Sequence, residues 1–175
     1  LLDVLTEMGR ADLAYTIMIQ RDFPSFGYMI ESGATTIWET WLGDASHSHP
    51  MFGSVCQWMY QSLGGISPDE KNPGFKRSII HPHPIKSLEF ANTSYPSAYG
   101  DIETHWKWEG DNYYLNLTVP PNTSALVYVL ADDSEKITEG DKSIDKSPFI
   151  QFQKMDGQNA VFEVQSGSYS FKSKD

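Results

Sequence analysis

The sequence predicts an α+β chain, with helices in residues 1–70 and an antiparallel β-sandwich in residues 71–175. Three observations predict it. Apolar residues recur every three to four positions in the first region and every second position in the other. A stretch punctuated by Gly64, Gly65, Pro68, Pro73 and Gly74 separates the two and reads as a linker. After it, turn signals such as Gly110-Asp111-Asn112, Pro120-Pro121-Asn122 and Asp156-Gly157 return at short intervals between apolar runs. Several short strands so spaced are the pattern of a sandwich.

In chain order, Leu2, Leu5, Met8, Leu13, Ala14, Ile17 and Met18 predict one helix of about 18 residues with a single apolar face. A long segment from Phe23 to His49 follows, dense in aromatics and glycine, and reads as a loop where ligands are often contacted. A second helix is expected from Pro50, suited to a first helical position, to Leu63, where Gly64-Gly65 supplies a stop. Its Met51, Val55, Trp58, Met59 and Leu63 share a side, and Cys56 is expected to be buried there. His81 and His83, flanked by prolines, read as an exposed edge strand. Strands are then expected at about 85–95, 99–109, 112–119, 124–130, 148–153, 159–164 and 168–173. Trp106 and Trp108 share one face of their strand.

Composition bounds the function. The 175 residues are 39 % hydrophobic and 13 % aromatic, too apolar for a disordered chain. A single cysteine, Cys56, excludes an internal disulfide framework. No apolar run is long enough to span a membrane as a helix. The net charge of −10 argues against a nucleic-acid partner, whose phosphates need cations. The first 70 residues carry nine acidic and two basic side chains. The chain opens Leu1-Leu2-Asp3-Val4 with a helical pattern and no Met, and is expected to be cut from a longer protein. A helical region this short does not easily bury amphipathic faces by itself, so it reads as the closing piece of a larger helical domain.

The densest chemistry lies between Phe26 and His49. Glu31, Glu39 and Asp44 fall there with Trp38, Trp41, His47 and His49. Indole faces stack on the apolar C–H surfaces of sugar rings. Carboxylates accept hydroxyl hydrogen bonds or activate water, and glycosidases use them in pairs. An ordinary aromatic core has the same composition. His47, His49 and Asp44 lack the further ligands that a metal site needs, so no metal is expected. The glycines have neither the spacing nor the lysine of a phosphate loop.

The residues Gly27-Tyr28-Met29-Ile30, Gly33-Ala34-Thr35-Thr36-Ile37-Trp38-Glu39 and Trp41 resemble a signature of the bacterial α-L-rhamnosidases, glycoside hydrolase family 78. His49-Pro50-Met51-Phe52-Gly53-Ser54-Val55 resembles the family's His-x-x-Phe-Gly-Ser-Val run, and Trp58, Tyr60, Leu63, Gly65 and Ile66 continue it. Gly100-Asp101-Ile102, Trp106-Lys107-Trp108, Val119-Pro120-Pro121-Asn122-Thr123 and Ser166-Gly167-Ser168-Tyr169-Ser170-Phe171 resemble its closing β-domain. The resemblance covers essentially the whole chain.

The resemblance implies that residues 1–70 are the last helices of an (α/α)6 six-hairpin catalytic barrel. It implies hydrolysis of terminal α-L-rhamnosyl bonds with inversion and without a cofactor. Glu39 matches the family's general base, and the general acid lies upstream of this chain. Trp38, Trp41 and His49 match sugar-contacting residues, while Glu31 and Asp44 remain possible site carboxylates. The implied partners are a rhamnose-containing glycoside or polysaccharide and the missing N-terminal part of the same protein. A polysaccharide-degrading parent is expected in the periplasm or outside the cell. The isolated chain is expected to be inactive and to self-associate through uncovered helix faces. Thr40 stands where the family carries Arg, Ser48 where it carries Asn, and Leu42-Gly43 delays Asp44. Two other readings remain. One is a non-catalytic brace or carbohydrate-binding piece: Trp106 and Trp108 exposed and coplanar would favour the binding piece, and packed against the helices the brace. The other is a phosphorolytic enzyme, which needs more basic residues than Arg10 and Arg21.

Overall fold

The computed structural model describes residues 1–140, 142–144 and 147–174. Two compact units divide the chain between Ser62 and Leu63. Helices make up the first, and a mixed, mostly antiparallel sheet makes up the second.

The first unit holds α1 (Leu2–Glu7), α2 (Ala11–Met18), α3 (Phe26–Glu31) and α4 (Ser54–Trp58). The single helix expected over residues 2–18 is therefore two helices. Gly9 breaks it with φ +75°. The Gly9 N–H donates to the Thr6 carbonyl at 2.9 Å and the Arg10 N–H to the Leu5 carbonyl at 2.7 Å. This crossed pair of bonds terminates α1, and its left-handed position favours glycine. The Arg10 guanidinium then grips Asp12 in the first turn of α2, at 2.9 and 3.1 Å. The Phe23–His49 segment, expected to be a loop, contains helix α3. The Ser25 hydroxyl caps α3, accepting from the Tyr28 N–H at 2.9 Å.

The expected Pro50–Leu63 helix is three helical pieces in series: a 3₁₀ turn (Pro50–Phe52), α4 and a π turn (Met59–Leu63). Val55 and Trp58 turn inward as expected, but Met51 and Met59 are exposed. So is Cys56, which corrects the expected buried thiol. The Trp58 Nε1–H donates to the Thr6 hydroxyl at 2.8 Å, a buried bond that ties α4 to α1. Among the described residues of this unit, the buried apolar side chains are Ala14, Met29, Trp38, Val55 and Trp58.

The second unit is built on β1 (Ile66–Pro68), β2 (Arg77–Ile80), β3 (Phe90–Ser97), β4 (Gly100–Glu109), β5 (Asn112–Leu130), β6 (Thr138–Glu139), β7 (Lys142–Ser143), β8 (Ile150–Asp156) and β9 (Asn159–Lys174). The described strands form one continuously hydrogen-bonded sheet rather than two separate ones. Its path is β1-β2-β5-β9-β6-β7, with β3-β4 added beside β5 and β8 beside β9. β2 runs parallel to β5, so the sheet is mixed rather than wholly antiparallel. The expected turn at Pro120-Pro121-Asn122 is instead a bulge within one 19-residue strand. Val119 faces Gly167 and Ser124 faces Gln165, so β5 spends four residues where β9 spends one. Proline has no N–H for the ladder, and the extra residues absorb that gap. The Thr123 hydroxyl closes the bulge on the Pro120 carbonyl at 2.7 Å.

Alternation along β5 sends Tyr113, Leu115, Leu117 and Val119, then Ala125, Val127 and Val129, into one core. Ile102, Trp106, Phe162 and Phe171 complete its centre. The expected linker 64–76 is part of this unit. Gly64 and Gly65 are buried, and β1 pairs with β2. The Trp106 Nε1–H donates to the Leu63 carbonyl at 2.6 Å and the Thr104 hydroxyl to the Gly64 carbonyl at 2.7 Å. These bonds satisfy carbonyls that burial would otherwise strand. His81 and His83 lie outside the strands. They are half-buried, with the His81 ring stacked on Tyr128 at 4.2 Å, which corrects the exposed edge strand.

Candidate functional site

Two main-chain bonds shape the loop that carries most of the candidate residues. The His49 N–H donates to the Ile37 carbonyl and the Glu39 N–H to the Ser46 carbonyl, each at 2.9 Å. Residues 38–47 are thereby drawn into a tight reversal. The Thr36 hydroxyl also donates to the His47 carbonyl.

Aromatic stacking fixes the side chains on this frame. Trp38 is buried, and its indole lies against the His47 ring at 4.8 Å with an interplanar angle of 19°. His47 Nε2 donates in turn to the Gly43 carbonyl at 2.8 Å. Gly43 has φ +70°, and a Cβ there would come within 2.6 Å of the Trp38 ring. Both facts restrict the position to glycine. Trp41 stacks on Phe52 at 4.2 Å, with Phe26 edge-on at 5.3 Å. The offset and edge-on geometries suit the ring quadrupoles.

The three carboxylates are engaged differently. Glu39 is half-buried, and the Ser46 N–H donates to its Oε2 at 3.3 Å. Asp44 is exposed and accepts from the Thr40 hydroxyl at 2.6 Å. Glu31 ends α3 and forms an exposed ion pair with Arg21 at 3.0 Å. The structure thus gathers Trp38, Glu39, Trp41, Asp44 and His49 on one loop and leaves Glu31 on a neighbouring helix. His49 accepts the Met51 N–H at Nδ1, 3.1 Å away, which leaves the ring's proton on Nε2 as a donor. Among the described residues no three His, Cys, Asp or Glu side chains gather in a metal-binding arrangement.

A cavity of about 560 Å³ lies in the same unit, lined by Met18, Phe26, Met29, Ile37, Val55 and Met59 among others. Its lining is mostly apolar and includes none of Trp38, Glu39, Trp41 or His49. In the second unit, Trp106 is buried and Trp108 packs half-buried against the core. They form no exposed sugar-stacking platform, so the feature that would have favoured a carbohydrate-binding piece is missing. Gly43 and Ser46 carry no signal of their place in this loop in the sequence. Their work is done through φ, a missing Cβ and a main-chain N–H, which residue type alone does not advertise.

Comparison with known proteins agrees with this architecture. Residues 1–63 match the model of the bacterial α-L-rhamnosidase six-hairpin glycosidase domain, and residues 65–143 match that of the bacterial α-L-rhamnosidase C-terminal domain. An α-L-rhamnosidase of Streptomyces avermitilis is 35 % identical over 98 % of the chain, and one of Formosa agariphila is 30 % identical over 98 %. The chain spans only 17 % and 20 % of the length of these relatives. Solved structures are similar over 99 % of the chain. That of the Streptomyces avermitilis enzyme complexed with L-rhamnose has a TM-score of 0.86 at 34 % identity, the chain covering 17 % of it. That of the α-L-rhamnosidase from Dictyoglumus thermophilum has a TM-score of 0.85 at 35 % identity, the chain covering 20 % of it.

Proposed function

The chain belongs to the bacterial α-L-rhamnosidase family, and from that membership we propose that it works as one part of a longer enzyme that removes terminal α-L-rhamnose with inversion. In this reading the first unit supplies the last helices of an (α/α)6 barrel, and the second is the β-domain that follows it. Glu39 is the general base. It takes a proton from a water as that water attacks the anomeric carbon. A general acid elsewhere in the longer protein protonates the leaving oxygen. The two carboxyl groups of an inverting pair stand about 6.5–9.5 Å apart to admit the water.

One observation carries the choice of base. Glu39 is the carboxylate of the loop whose only hydrogen bond among the described residues is a long one, from the Ser46 N–H at 3.3 Å. Asp44 is engaged by Thr40 at 2.6 Å and Glu31 by Arg21 at 3.0 Å. A carboxylate so lightly held keeps lone pairs for water. Trp41 and the Nε2–H of His49 would contact the sugar as the resemblance implies, whereas Trp38, expected to contact it too, is buried under the His47 ring and would act as the floor of the loop. Exposed Val4, Met8, Ile30 and Met51, with the apolar cavity, support a first unit that is covered in the longer protein. No cofactor enters this chemistry.

The test is hydrolysis of an aryl α-L-rhamnoside by the whole enzyme, by its Glu39→Gln variant and by the 175-residue chain. We expect the variant to lose about 10²–10⁴-fold in kcat and the isolated chain to be inert. A Glu39→Gln enzyme within a few-fold of the parent would refute the assignment and direct attention to Asp44 and Glu31.

A further inference from the structure

We propose that His47 is a positioning residue for Glu39, holding the loop closed through its stack on Trp38 and its hydrogen bond to the Gly43 carbonyl. The proposal rests on the reading of Glu39 as the base. Five contacts converge on His47 and its neighbour. The ring covers Trp38, the residue before Glu39, at 4.8 Å. Its Nε2 reaches the Gly43 carbonyl at 2.8 Å, across the tip of the reversal. Its own carbonyl accepts from the Thr36 hydroxyl. Ser46, next to it, exchanges main-chain and side-chain bonds with Glu39: the Glu39 N–H donates to the Ser46 carbonyl, and the Ser46 N–H donates to Glu39 Oε2.

These contacts form a closed circuit. Glu39 is oriented by Ser46, Ser46 is held in place by His47, and His47 is fixed on the indole that immediately precedes Glu39. The circuit has no helix or long strand to stiffen it, because residues 35–49 contain none. Gly43 completes it by letting the backbone lie directly on the Trp38 ring, where any Cβ would collide at 2.6 Å. His47 itself is otherwise exposed, so its ring is not there to fill a core. Remove it, and the Ser46 N–H is free to drift from the carboxylate. A general base displaced by about an ångström loses rate without losing substrate affinity, since the misplacement acts in the transition state.

The experiment compares His47→Ala, His47→Phe and Glu39→Gln in the whole enzyme, with kcat, KM and Tm measured for each. The expected result for His47→Ala is a kcat lowered about 10–100-fold, with KM within about threefold and Tm nearly unchanged. His47→Phe keeps the stack and loses only the Nε2 bond, so it should recover most of that rate, ending about 3–10-fold below the parent. If His47→Ala does not fold, His47→Phe decides: a lowered kcat at unchanged KM supports the role, and a parental kcat overturns it. A His47→Ala kcat within about threefold of the parent, while Glu39→Gln loses at least about 10²-fold, overturns the positioning role and leaves the base assignment standing. Loss of activity in proportion to a lowered Tm marks His47 as merely structural and also overturns it. Full activity in Glu39→Gln removes the base reading, and the proposal with it.

Discussion

Asp69 is buried at the end of β1, where a lone carboxylate would be costly. Asn72 Nδ2 at 2.8 Å, the Lys71 N–H at 3.0 Å and Arg77 Nε at 2.6 Å all donate to it. The Asn72 and Lys71 hydrogen bonds, with Arg77 behind them, lower its pKa from 3.8 to about 2. His81 is shifted in the same direction for a different reason. Burial, then the neighbouring His83, lowers it from 6.5 to about 4. Asp156, paired with Lys154, pulls weakly the other way. In both cases the folded state binds its proton later than the unfolded state, so stability falls as pH falls. The His81 contribution is complete above pH 6.5 and is lost on the way to about 4. The Asp69 contribution is complete above 3.8 and is lost on the way to about 2. Thermal unfolding followed against pH should show both windows. His81→Gln should flatten the first and Asp69→Asn the second, and a variant profile parallel to the parent's would contradict the assignment.

At the scale of elements, two breaks in regular structure have opposite origins. Gly9 ends α1 because the chain needs a left-handed residue there. A Cβ at Gly9 would meet nothing within 4 Å, so only backbone strain opposes a side chain. Gly9→Ala is therefore expected to cost about 1 kcal/mol, and Gly9→Asn less, because Asn tolerates that conformation. Chemical denaturation would show it as a shifted midpoint at constant m-value. Equal midpoints for Gly9→Ala and the parent would mean the α1 terminus relaxes without strain. The bulge at Pro120–Thr123 interrupts β5 for the lack of a donor rather than for φ alone. β9 continues past it, so the strand survives.

At the scale of the molecule, the two units differ in how much they bury. Among the described residues the second encloses a core of twenty buried side chains that runs from Ile66 to Phe171, whereas the first has five buried apolar ones. The core of the second is large enough for independent stability, and that of the first is marginal. Residues 63–175 expressed alone are expected to unfold cooperatively and to protect the β5 and β9 amides from exchange. Residues 1–62 alone are expected to exchange fast throughout. Slow exchange in isolated 1–62 would contradict this ranking, and with it the proposal that the first unit is completed by other parts of a longer protein. The same uncovered apolar residues predict concentration-dependent self-association of the 175-residue chain in sedimentation velocity.

Much of this molecule is legible residue by residue. The alternation of Tyr113, Leu115, Leu117 and Val119 marks the inward face of β5, because a strand's side chains point alternately whatever it pairs with. Gly110-Asp111 and Asp156-Gly157 mark their turns because turn geometry is local. The Gly33–Glu39 motif and its resemblance led to the family to which the comparisons assign the chain. Other features depend on groups far apart in the chain, and no local period reports them. The bulge in place of a turn at Pro120 depends on β9 lying alongside both halves of β5. The burial of Gly64 depends on Thr104, forty residues on, offering a hydroxyl to its carbonyl. Around Glu39, the stack of His47 on Trp38 required the reversal to close first. Residue identities supplied the aromatic rings and the carboxylate, and only folding set the 4.8 Å between the rings and the 3.3 Å from Ser46 to Glu39.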